Sequence, residues 1–139
     1  MNGEAGRAVA RPVLTSIAAV LFVADVGASS AFFTGKLGFG VDFVYGEPAF
    51  YGQVSRDEAR IALRHVDEAV FVADVRERED LISAAITVAR GDEIERLFVE
   101  YQAAGVRFHQ VLKSEVWGAR TFVVVDLDGN LILFAGPAE

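Results

Sequence analysis

The chain has no cysteine, which excludes disulfides, thiolate metal sites and cysteine nucleophiles. It has two histidines, His65 and His109, far apart and with no His-x-x-x-His spacing, so the helical zinc motif is missing. The glycines form neither G-x-G-x-x-G nor a phosphate loop with its lysine, which removes the usual backbone cradles for nucleotides. Basic residues are outnumbered 13 to 20, a formal charge of −7. Nucleic acid is therefore excluded as the main partner, because phosphate recognition needs clustered Lys and Arg. No apolar run reaches the about 18–20 residues of a membrane helix. Arg7 and Arg11 ahead of the apolar Ile17 to Val23 have the order of a secretory leader, but Asp25 soon interrupts the run, so the expected location is cytoplasmic. No serine sits in a nucleophile-elbow setting.

What is present is a core. Hydrophobic residues make up 53% of the 139, and Phe occurs 11 times, enough for one ordinary domain and against disorder. Residues 1–12, rich in Gly and Ala, read as a flexible arm ahead of a single domain over 13–139. Ile17 to Val23 reads as a buried strand. A helix follows, with Ala28, Ala31, Phe32 and Gly35 at i, i+3, i+4 and i+7 as its apolar face. Gly38 sits where a helix stops. Val41, Phe43 and Tyr45 alternate as a strand; Ala49 to Ser55 and Arg60 to Val66 supply two more around an Arg56-Asp57-Glu58 turn. Residues 67–80 alternate acidic and basic charge and read as a solvated connection.

The pattern then starts again. Ile82 to Ala89 is a strand, and Asp92 and Glu95 have the spacing of a capping box. Ile94, Leu97, Phe98 and Tyr101 line one helix face, and Ala104-Gly105-Val106 closes the helix as Leu37-Gly38-Phe39 closed the first. Val123 to Val125 and Leu131 to Phe134 form a hairpin around Asp128-Gly129-Asn130, in which Gly and Asn accept the positive φ of a tight turn. Asp126 and Asp128 are turn formers here rather than a catalytic pair. Two modules, about 13–68 and 80–137, repeat strand, helix and three strands, an α+β organisation.

The order Trp117-Gly118, Arg120, Phe122, a short β run, then Asp126-Leu127-Asp128-Gly129-Asn130 and an apolar strand closely resembles the glyoxalase/bleomycin-resistance/dioxygenase (vicinal oxygen chelate) superfamily. Val23-Ala24-Asp25-Val26, Ser29, Phe32-Phe33 and Leu37-Gly38-Phe39 match its opening motif, and the Trp-Gly form is most like the bleomycin-resistance branch. Leu127 stands where the family usually has proline. The resemblance implies two βαβββ modules forming a cup-shaped mixed sheet, with helices on the convex face and a ligand or metal in the concave face.

The enzymes of that family bind a divalent metal on the first and last strands of the modules. Carried over, those positions fall at Ala18, near Ala84 to Ile86, at Leu133, and at Ala62 or Leu63. All are aliphatic and none can coordinate a cation, so no metal and no cofactor is expected. Strand alternation puts Ala18, Val20 and Phe22 on one face, and the family's ligand position, at Ala18, implies that this is the concave side. The other candidate ligand contacts are Phe43, Phe50, Tyr51, Arg64, His65, Trp117, Arg120 and Phe122, with core packing the alternative for each aromatic. Trp117 and Arg120 are expected to edge the cleft, Trp117 at its mouth.

The function this implies is a small-molecule binding protein, metal-independent and homodimeric. It would sequester an aromatic or cationic ligand, bleomycin-like or otherwise, in a cleft completed by the second copy. The alternatives are a lyase, isomerase or dioxygenase of the same fold, or a cup closed by its own side chains.

Overall fold

The computed structural model describes residues 10–138; residues 1–9 of the expected arm, and Glu139, lie outside the described residues. Residues 10–18 carry no helix or strand, and Val13, Leu14 and Ile17 among them are exposed. The elements that follow are β1 (Ala19–Val23), α1 (Val26–Lys36), β2 (Gly40–Tyr45), β3 (Tyr51–Arg56), β4 (Ala59–His65), α2 (Val75–Arg78), β5 (Ile82–Thr87), α3 (Gly91–Ala103), β6 (Arg107–Ser114), β7 (Ala119–Val125) and β8 (Leu131–Pro137). They pair as two four-stranded sheets, β1-β4-β3-β2 and β5-β8-β7-β6. In each, the first strand pairs parallel with the fourth and the rest is antiparallel. This is the repeat of two βαβββ modules. Where one cup-shaped sheet was expected, there are two open sheets with β1 and β5 side by side at their boundary. No helix among the described residues is long and apolar enough to cross a membrane, which says nothing of a β-barrel.

The helices begin and end for local reasons. Asp25 caps α1, its Oδ1 accepting the Ala28 N–H at 2.9 Å and so satisfying one of the free donors of the first turn. Gly38, at φ 77°, stops α1, and Gly105, at φ 76°, stops α3; glycine takes this left-handed conformation without a Cβ clash. The buried stripe of α1 is Val26, Ser29, Ser30 and Phe33, continued by Leu37. The expected stripe of Ala28, Ala31, Phe32 and Gly35 is exposed apart from a half-buried Phe32. Burial follows apolar area, and Val, Phe and Leu outweigh two alanines and a glycine. Helix α3 starts at Gly91, and Glu93, not Glu95, reaches back to accept the Arg90 N–H at 3.0 Å. Its predicted face holds: Ile94 and Tyr101 are buried, Leu97 and Phe98 half-buried.

One core runs through both modules. In the second, Phe122 stacks on Phe134 at 5.1 Å, with Phe98, Phe108 and Tyr101 within 6.1 Å of one ring or the other. The modules are tied at the helix ends. Arg56 donates to Leu37 O (2.9 Å) and Glu100 (2.8 Å), the Tyr101 hydroxyl donates to Leu37 O (2.9 Å), and Lys36 donates to Ala104 O (2.8 Å). The charged connection is more than a solvated face. Arg76 stands over the Phe71 ring and donates to Asp128 O (2.7 Å) and Asn130 Oδ1 (3.1 Å). Asp126 shapes that turn, its Oδ1 accepting the Asp128 and Asn130 N–H groups. Burial raises its carboxyl pKa, and the hydrogen bonds from Asn130 and Asp128 oppose the rise.

Candidate ligand-binding face

Strand register decides which side chains share a face, because successive residues point to opposite sides. In the first module Ala19, Leu21 and Val23 of β1 pair with Ile61, Leu63 and His65 of β4, and this side carries the core under α1. The other side of the sheet holds Val20 and Phe22 of β1, Ala62 and Arg64 of β4, and Tyr51 and Gln53 of β3. On β2, Phe43 pairs with Gln53 and Tyr45 with Tyr51. The ring of Phe43 lies 5.1 Å from Tyr45 and 6.1 Å from Tyr51. Phe22 is 39% and Tyr45 58% exposed, so this is an open aromatic face, not a packed layer. A bulge between Val41 and Phe43 brings Asp42 to it. Asp42 accepts from Gln53 Nε2 (2.8 Å) and Ser55 Oγ (2.9 Å), and these bonds hold its carboxyl below the usual range.

Of the residues the sequence singled out, Phe22, Phe43, Tyr51 and Arg64 therefore stand together. Tyr45, Gln53 and Asp42 join them. Alternation from Phe43 could have found Tyr45; no signal in the sequence shows the bulge that turns Asp42. The other candidates lie elsewhere. Phe50 precedes β3, and its ring lies against Gly46. His65 shares the side of Val23; its Nδ1 is 2.8 Å from Ala24 O and its Nε2 2.9 Å from Asp67. Its pKa is raised, first by Asp67 and then by the Ala24 carbonyl. Phe122 is a correction: it is 0% exposed, in the centre of the core. The run Thr121 to Val125 is buried on both faces, and such a strand has no alternation from which the side of Phe122 could be read. Arg120 pairs with Gly136, which abuts Ile94 of α3, and its guanidinium is 3.9 Å from Glu95. It lies on the helix side. Trp117 is in the β6–β7 turn, 71% exposed, with no ring neighbour among the described residues. The structure does not bring Trp117 and Arg120 together on the open face of either sheet.

The positions that hold metal in the family's enzymes can now be placed. Ala62 pairs with Val20, and Leu133 with Ala85, so the relevant side chains are alanine and leucine. Among the described residues no three His, Asp or Glu side chains converge. This donor set does not fit a divalent cation, which takes oxygen or imidazole ligands.

A cavity of about 1070 Å³ lies between the modules, over Phe39, Ile61, Ala84 and Phe134. Part of its charged rim is internally paired, Arg56 with Glu100 and Arg96 with Asp92. The aromatic face is the stronger candidate, because clustered rings with a few polar groups beside them have a defined ligand chemistry.

Comparison with known proteins agrees with the topology. The family model for the Glyoxalase/Bleomycin resistance protein/Dioxygenase superfamily matches residues 15–134. Among solved structures, a glyoxalase/bleomycin resistance protein/dioxygenase from Alicyclobacillus acidocaldarius superposes with a TM-score of 0.73 at 16% identity, covering 90% of this chain and 92% of that one. The bleomycin-binding protein of bleomycin-producing Streptomyces verticillus, complexed with copper(II)-bleomycin, gives 0.65 at 22% identity, with 89% and 97% covered. A bleomycin resistance determinant encoded on the transposon Tn5 gives 0.67 at 16% identity, with 91% and 100% covered. A comparison with curated proteins gives no match. With its two βαβββ modules and a family match over most of its length, the chain belongs to the glyoxalase/bleomycin resistance protein/dioxygenase superfamily.

Proposed function

We propose that the chain is a metal-independent binding protein that holds a flat aromatic molecule on the open face of its first module, covered by a second copy of the chain. The observation that carries this is the row of rings on the side of the sheet away from the core, Phe22 and Tyr45 exposed and Phe43 and Tyr51 half-buried. Stacking on such rings contributes about 0.5–1.5 kcal/mol per pair beyond area burial. Aliphatic residues at the family's metal positions support binding over metal-assisted chemistry. The bleomycin-binding proteins among the similar structures support a natural-product ligand. Val20, Phe22 and Tyr45 are apolar and exposed, which suits cover by a second copy. Trp117 and Arg120 belong to the second module and take part only if that copy contributes them.

The test is a thermal-shift screen of bleomycin and other aromatic natural products, followed by recovery and mass analysis of the ligand that binds. Tyr51→Ala is expected to weaken that ligand about tenfold. The ligand should be recovered unchanged and the protein should scatter as a dimer of the 15.0 kDa chain. A chemically altered ligand would restore the lyase, isomerase or dioxygenase reading, and a monomer at tens of micromolar would remove the covering copy.

A further inference from the structure

We propose that the ligand of this face is an aromatic carboxylic acid, its ring on the tyrosine and phenylalanine side chains and its carboxylate on Arg64; the inference rests on the reading of the face as a ligand site. In the sheet register Arg64 is opposite Phe22 on one side and Tyr51 on the other, and Tyr51 is opposite Tyr45. Neighbouring strands are about 4.8 Å apart, so the arginine stem rises between two rings, each one strand away. The Arg64 side chain is exposed and makes no hydrogen bond or ion pair among the described residues. Arg56, Arg78, Arg90 and Arg96, by contrast, each have a carboxylate partner.

The carboxylate that shares the face is already engaged. Asp42 accepts from Gln53 on one oxygen and from Ser55 on the other, and feels the charge of Arg60. The face thus offers an acid already hydrogen-bonded by its neighbours and, at Arg64, a guanidinium with no protein partner among the described residues, in a chain whose overall charge is negative. A guanidinium is planar, stacks on rings and meets a carboxylate with two parallel hydrogen bonds. Flanked by Phe22 and Tyr51, it selects a ligand whose acid group lies at the edge of its ring. A ligand cation placed there would instead meet Arg64.

Three naphthalene probes with one ring system and different charge decide the matter: 2-naphthoate, 2-naphthamide and 2-naphthylmethylammonium, titrated calorimetrically into the full chain. The acid is expected to bind about tenfold more tightly than the amide, and the ammonium most weakly. Arg64→Gln should remove the advantage of the acid and leave the amide unchanged, and Arg64→Lys should restore part of it. Tyr51→Ala should weaken acid and amide alike. Equal binding of acid and amide, or tightest binding of the ammonium, with Tyr51→Ala still weakening both, overturns the acid and keeps the aromatic site. Binding indifferent to Tyr51→Ala, or no binding of any probe, overturns the site itself and the acid with it.

Discussion

In the second module Phe98, Phe108, Phe122, Phe134 and Tyr101 pack against one another between sheet and helix. In the first, Phe22, Phe43, Tyr45 and Tyr51 stand on the side of the sheet that faces away from its helix. The corresponding side of the second sheet carries Val123, Val125, Leu131 and Leu133, a small aliphatic cluster. Two halves with the same topology thus place the rings of their strands on opposite faces, and the core rings of the first module, Phe33 and Phe39, come from α1 and the segment after it. Rings in the core stabilise the fold through burial and packing. Exposed rings add little to stability, so their clustering on one face is better explained by what the face contacts.

The largest expected effect separates the two sets of rings directly. Phe122→Ala should lose about 3–5 kcal/mol of unfolding free energy through its cavity, whereas Tyr51→Ala should stay within about 1 kcal/mol. Denaturant unfolding measures both, and comparable losses would break the contrast. Next in size is the alkaline limb. Burial pushes the Tyr101 hydroxyl up to about 12, so between pH 10 and 12 the unfolded chain loses that proton while the folded chain keeps it. Stability should fall by at most about 1.4 kcal/mol per pH unit there, and Tyr101→Phe should flatten this slope. A slope unchanged in Tyr101→Phe would mean that the group is not held in the core.

The first module has its own titrating group on the surface. The pKa of His65 is raised by Asp67 and the Ala24 carbonyl, so its contribution is complete below the unfolded value of about 6.5 and is lost as pH rises through the higher folded value. Asp67→Asn should remove most of that small dependence, and thermal melts between pH 5 and 8 would show an unchanged dependence if Asp67 were not the cause. Smallest is Trp117→Ala, expected to change stability by less than about 0.5 kcal/mol. A larger loss would show that the exposed ring packs against something, such as a second copy.

Much of the fold was legible in the sequence. The repeat, the stop glycines Gly38 and Gly105, and the turn at Asp128-Gly129-Asn130 all rest on local chemistry that a single chain displays. The site was less so. Of the candidates singled out, Phe22, Phe43, Tyr51 and Arg64 share one face of the first sheet, a register that only the strand pairing shows. Phe122 was misplaced because its strand is apolar on both sides, and Arg120 because its side depends on pairing with Gly136. The serine-bearing face of α1 was missed because apolar area decided what periodicity left open. Arg76 looked like one charge among many; only the folded chain brings it to the turn more than 50 residues away.

The most direct test of the central claim is a residue-resolved one: the amide shift changes in a ¹⁵N-labelled full chain on titration with 2-naphthoate. The account predicts that the largest changes fall on Phe22, Phe43 to Tyr45, Tyr51 to Gln53 and Arg64, with the core around Phe122 unmoved. Changes concentrated at the groove between the modules, around Ile61 and Ala84, with the aromatic face silent, would contradict it.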